Sequence, residues 1–158
     1  MAKAFVNALF GVLLACSLMA YSGPSAAGHL GQTQTADGMD IYLGLVPAAA
    51  LRQSPDRYPG HEQGKIPSGK HVYHVMLALF DRSSGQRITD AIINARAAPL
   101  GLGGPQRHLD PTLVAGVITY CNYFRISPLD ISVIEAEIRR PNVSRATRVR
   151  FVLEPHRE

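Results

Sequence analysis

Two stretches near the C-terminus carry the clearest hydrophobic pattern in the chain. Over residues 131–139, Ile134, Ala136 and Ile138 share one side while Glu135 and Glu137 take the other. Over 146–153, Val149, Phe151 and Leu153 alternate with Arg148 and Arg150. A period of two marks a strand with one face buried and one in water. The turn at Pro141-Asn142 makes the pair a hairpin in which outward Glu stands opposite outward Arg. The same alternation runs through Met39, Ile41, Leu43 and Leu45 and stops at Pro47, after which 48–52 has room for one helical turn. Residues 71–80 are apolar on both faces, as a covered central strand should be. Residues 81–86 read as a polar turn that brings back a hairpin partner over 88–97. A further strand over 112–124 breaks near Gly116, and the Pro- and Gly-rich segments 54–69 and 99–105 predict loops. Strands in this number, about seven, without alternating helices, predict an all-β antiparallel sandwich.

The N-terminus follows a different rule. Lys3 precedes an apolar run over 4–20, and Ser25-Ala26-Ala27 places small residues where a signal peptidase cuts, before Gly28. Residues 1–27 are therefore expected to be a signal peptide, a helix removed on export, and the protein to be periplasmic or secreted. Leu13-Leu14-Ala15-Cys16 also approximates a lipoprotein signal, so lipidation at Cys16 is the alternative, and a retained anchor a further one. Against lipidation, the apolar run continues past Cys16 through Leu18-Met19-Ala20. Residues 28–36 lack periodicity and read as a flexible tail; 37–158 form the sandwich domain, large enough for its own core.

Composition narrows the function more than it names it. The formal net charge is +4, and Lys3 leaves with the leader. So mild a charge predicts no nucleic-acid partner and no strong membrane binding after leader cleavage. With Cys16 removed, only Cys121 remains, so no internal disulfide can form and the apolar core must hold the fold. Cys121 lies in a strand-like apolar run and reads as a buried thiol. The group Arg139, Arg140, Arg145, Arg148 and Arg150 is the densest charge and reads as a solvated hairpin edge.

Histidine is the notable polar feature, with six residues, all beyond the leader. His74 and Met76 are two apart on the central strand and so share a face, near enough for both to reach one ion. Imidazole with thioether suits copper in an exported protein. His71 has the opposite parity and joins such a site only if the strand begins after it or carries a bulge; His61, in the long loop, could fold over it. The candidate metal ligands are therefore His61, His71, His74 and Met76, with His-x-Met core packing as the competing reading. There is no Gly-x-Ser-x-Gly nucleophile elbow, no dinucleotide loop and no local activation of Cys121, so no enzyme is expected.

Several segments also resemble a family: 37–44 (Asp37-Gly38-Met39-Asp40-Ile41-Tyr42-Leu43-Gly44), 69–76, Leu79-Phe80-Asp81, 85–91 and 119–124. They are similar to those of small bacterial periplasmic immunoglobulin-like proteins of the YtkA-like and FixH-like type. The resemblance implies an immunoglobulin-like sandwich and a loose link to copper or iron handling. The expected function is an exported, non-catalytic accessory protein binding copper, or less favoured iron. The alternative is a structural or protein-interaction module, without metal, in a cell-envelope complex with an envelope or membrane protein partner.

Overall fold

The computed structural model describes residues 31–53 and 66–155. Eight strands follow in order: β1 (Gln32–Ala36), β2 (Met39–Pro47), β3 (Val72–Asp81), β4 (Ile92–Pro99), β5 (Arg107–Val114), β6 (Val117–Arg125), β7 (Ser132–Arg139) and β8 (Thr147–Leu153). Among the described residues one short helix, α1 (Ala48–Gln53), follows β2 directly, where the helical turn is expected. The strands hydrogen-bond in the order β1-β2-β3-β6-β5-β4-β7-β8, all antiparallel. Strand β5 belongs to both layers: Arg107, His108 and Leu109 pair with β4, while 110–114 pair with β6. Omitting β1, the layers β2-β3-β6-β5 and β4-β7-β8 have the pairing of a seven-stranded constant-type immunoglobulin sandwich.

The alternating residues meet between these layers. Met39, Ile41, Leu43 and Leu45 of β2 and Val75, Leu77 and Leu79 of β3 face Ile134, Ala136 and Ile138 of β7 and Val149, Phe151 and Leu153 of β8. Glu135 stands opposite Arg150 and Glu137 opposite Arg148, as the hairpin pattern predicts. Arg96 of β4 adds a third rung at 2.6 Å from Glu135. The solvent face of this layer is thus a ladder of arginines around two glutamates.

Two expectations need correcting. The tail expected over 28–36 is a strand from Gln32 onward, paired with β2 through a two-residue turn. Asp37 (φ 46°) and Gly38 (φ 74°) give that turn the left-handed backbone that matches strand twist. The partner expected for β3 over 88–97 instead becomes β4 in the opposite layer, leaving only a single bridge, Phe80 to Arg87, beside β3. The break near Gly116 is a second tight turn, with Ala115 and Gly116 at φ 50° and 81° between β5 and β6. The expected signal helix and Cys16 lie outside the described residues.

The two outer strands, β1 and β8, stand edge to edge. Gln32 Nε2 donates to the Val152 carbonyl at 2.6 Å and Gln34 Nε2 to the Arg150 carbonyl at 3.2 Å. Thr147 Oγ1 donates to Asp37 Oδ2 at 2.7 Å. Side chains therefore close what backbone pairing leaves open, and the sandwich is nearly a barrel.

Candidate metal site on the outer face of β3

Strand β3 is apolar on both sides because both are covered. Val75, Leu77 and Leu79 point between the layers, so His74 and Met76 point outward. That outer face does not meet water near its start. The chain turns back after Pro47 into α1 and returns at Ile66, and Val46, Ala48, Leu51 and Ile66 form a small second core. Val72, Met76 and Tyr123 pack against it.

Under this cap His74 is only 3% exposed. Register places it between Val46 of β2 and Tyr123 of β6. Its ring lies 4.8 Å from that of Tyr123, tilted by 38°. The Tyr123 hydroxyl is raised in pKa, chiefly by burial. Met76 is half-buried, with Gly44 on one side and Cys121 on the other. A Cβ on Gly44 would come within 3.1 Å of Met76 Cε, so the glycine leaves the space the thioether end occupies.

The two donors expected on one face are thus on one face. His71 is exposed and immediately precedes β3, its backbone in the left-handed region at φ 58°. Its carbonyl accepts the Ile126 N–H at 2.9 Å. The strand does begin after His71, which frees that residue from the alternation of β3. His61 lies outside the described residues, as do His29 and His156. His108 stands apart on β5, 3.9 Å from Asp110. Among the described residues no group of three or more His, Cys, Asp or Glu is placed to hold a metal ion.

Sequence reasoning assigned Cys121 to the buried apolar interior and missed that it is the cross-strand neighbour of Met76. Parity along β6 could have found the face, since Tyr120 points inward. Its pairing with Met76 is a long-range register that no local pattern encodes. Cys121 is buried, and its Sγ makes a weak contact with the Thr119 carbonyl at 3.5 Å. Burial pushes its thiol up to about 12. A thiol held protonated in this way is a poor nucleophile. The outer face offers an imidazole and a thioether, the latter a soft donor of the kind that favours Cu(I) over hard cations, beside a thiol that burial keeps protonated.

The chain matches no family model, and no curated protein matches it in sequence. Similar solved structures include the following two. A DUF4426 family protein from Pseudomonas aeruginosa PAO1 is 13% identical, with a TM-score of 0.52 over 80% of this chain and 97% of that one. A copper-bound variant of FetP from uropathogenic Escherichia coli is 10% identical, with a TM-score of 0.56 over 80% of this chain and 95% of that one. At such identities the likeness shows the fold, a small β-sandwich that this chain shares with these bacterial proteins. These likenesses do not extend to showing the YtkA-like or FixH-like family for this chain.

Proposed function

We propose that the protein is an exported, non-catalytic accessory protein that binds copper through His74 and Met76, with His71 or His61 completing the site. The observation that carries this reading is the placement of imidazole and thioether side by side on the capped outer face of β3. Copper bound by a neighbour of the same fold supports the choice of metal by analogy. The chain leaves the cap at Gln53 and rejoins it at Ile66, and His61 belongs to the segment between. Imidazole suits copper and iron alike, and the thioether is the donor that tips the choice toward Cu(I).

The test is titration of the purified protein with Cu(I), Cu(II) and Fe(II), beside a His74→Ala, Met76→Ala double variant whose fold is checked by near-ultraviolet circular dichroism. Uptake of one Cu(I) per chain, lost in the folded double variant, is the expected result. Equal uptake by both proteins removes these residues from the site. No uptake by either leaves the envelope interaction module as the account of the protein.

A further inference from the structure

The outer face of the β4-β7-β8 layer carries its charges in rows set by strand register. Arg96, Glu135 and Arg150 form one row, and Asn94, Glu137 and Arg148 the next. Arg139 follows Glu137 on the same side of β7. Four arginines thus surround two glutamates, an excess of two positive charges. Exposed ion pairs add little to stability, so stability does not account for the arrangement.

The arginines are not equally engaged. Glu135 is held by Arg96 at 2.6 Å, while Arg150 Nε stands 4.0 Å from its other oxygen. Glu137 is held by Arg139 at 2.7 Å, with Arg148 at 3.2 Å. Arg139 and Arg148 keep the Glu137 carboxyl below its usual range, so the acid stays ionised. The Arg148 side chain is 82% exposed and that of Arg150 54%. They are consecutive outward residues of β8, about 6.5–7 Å apart. An open depression of about 540 Å³ lies against them, lined also by Asn94, Arg96 and Gln106. The charged rows give way to an apolar one, Ala98, Val133 and Val152. There a second depression, of about 320 Å³, is lined by Ala98, Leu102, Val133 and Arg150.

We infer that this face docks an extended acidic segment of a partner protein. Carboxylates at two alternate positions meet Arg148 and Arg150, and an aliphatic side chain two residues further enters the depression at Leu102 and Val133. Spacing and charge both select this occupant. An extended chain repeats its side chains on one side at the same interval as β8. Each guanidinium presents a planar fork that fits a carboxylate. The two glutamates already restrain the arginines, which lowers the cost of ordering them on binding. A continuous polyanion or an anionic lipid surface fits less well, because Glu135 and Glu137 put like charge into both rows and Glu154 follows Val152 by two residues. Arginine beside apolar residues is also a mark of protein interfaces. The outer side of the other layer has no matching column, since β3 places His74, Met76, Ala78 and Phe80 there.

The test uses the labelled peptide Glu-Thr-Glu-Thr-Leu-Thr-Glu-Thr-Glu, which reads alike in both directions and so suits either strand polarity. Its isomer Glu-Glu-Thr-Thr-Leu-Thr-Thr-Glu-Glu has the same charge but no two acids at alternate positions. By fluorescence anisotropy at low salt, the first should bind about tenfold more tightly than the second. An Arg148→Ala, Arg150→Ala variant, its fold checked by circular dichroism, should lose about tenfold or more of that affinity. A Lys70→Ala, Arg125→Ala variant removes the same charge from exposed residues of the other layer and should bind as the unaltered protein does. Equal affinity for the two isomers, equal loss in both variants, or no binding of either peptide overturns the proposal. So does binding of inorganic polyphosphate or phosphatidylglycerol vesicles through Arg148 and Arg150 in preference to the alternating peptide, which would give the face to a polyanion or a membrane.

Discussion

Removing one oxygen atom from Tyr120 should cost more than any exposed ion pair of this protein contributes. Tyr120 is 1% exposed, and its hydroxyl accepts the Ala91 N–H at 2.8 Å and donates toward the Ile88 carbonyl at 3.4 Å. Those groups lie on the segment that crosses from β3 in one layer to β4 in the other. Arg87 straps the same segment to β6, with Nε at 2.6 Å from the Ile118 carbonyl and Nη2 at 2.8 Å from Thr119 Oγ1. Tyr120→Phe keeps the ring and its packing but leaves the buried Ala91 N–H without a partner. An unsatisfied buried donor costs about 1–3 kcal/mol. For a domain of this size that lowers Tm by roughly 4–12 °C. Calorimetry and urea unfolding should show the lower midpoint with an unchanged m-value, because the surface exposed on unfolding is the same. The Tyr120 hydroxyl is raised in pKa, chiefly by burial. A raised group contributes stability in full below its unfolded value of about 10 and loses it as pH rises further, so the variant should also lose part of the alkaline decline. A destabilisation below about 0.5 kcal/mol would refute the reasoning, since it would mean that water or backbone adjustment replaces the hydroxyl.

Two more outcomes follow from titrating groups. The Cys121 thiol is raised from 9.0 to about 12, chiefly by burial, so its contribution is intact below pH 9 and is lost as pH rises toward 12. Stability measured by denaturant between about pH 9 and 10 should fall by up to ~1.4 kcal/mol per pH unit, and Cys121→Ala should flatten that slope; an unchanged slope contradicts the assignment. Asp81 is lowered from 3.8 to about 2, first by the Ser83 hydroxyl and then by Ser84. Its contribution is therefore present above pH 3.8 and is lost as pH falls through about 2. A Ser83→Ala, Ser84→Ala variant should return the carboxyl toward its ordinary value in an NMR titration.

Local pattern was sufficient wherever a strand has one wet face and one dry one. Ile134, Phe151 and their alternating neighbours could be placed in the core, and Glu135 opposite Arg150, because a slip of one residue would bury the charges. β1 escaped the same reading because Gln-Thr-Gln-Thr has no apolar face to alternate; as an edge strand it needs none, and Asp37-Gly38 was its only local signal. The pairing of β4 was misjudged because adjacency in sequence favours a hairpin, whereas Tyr120 and Arg87 hold the intervening segment across the layers. At the candidate site, parity alone put His74 and Met76 together. Tyr123 above His74 and Cys121 beside Met76 arrive from a strand more than forty residues on, and nothing in the spacing of either strand sets that register.

The glutamine contacts between β1 and β8 also constrain the order of events in folding. They join residues 120 and 116 positions apart, so among the described residues the largest loop closures are reserved for the two outer strands. The β1–β2 hairpin can form as soon as it is synthesised, but its outer edge must wait for the final strand. Folding should accordingly be slow for a chain of this size, as in other sandwiches dominated by distant contacts. Until β8 arrives, β7 lacks its outer partner and the facing core is open to water. A chain stopped before Thr147 would lack both the lid over its core and the cover for its first edge.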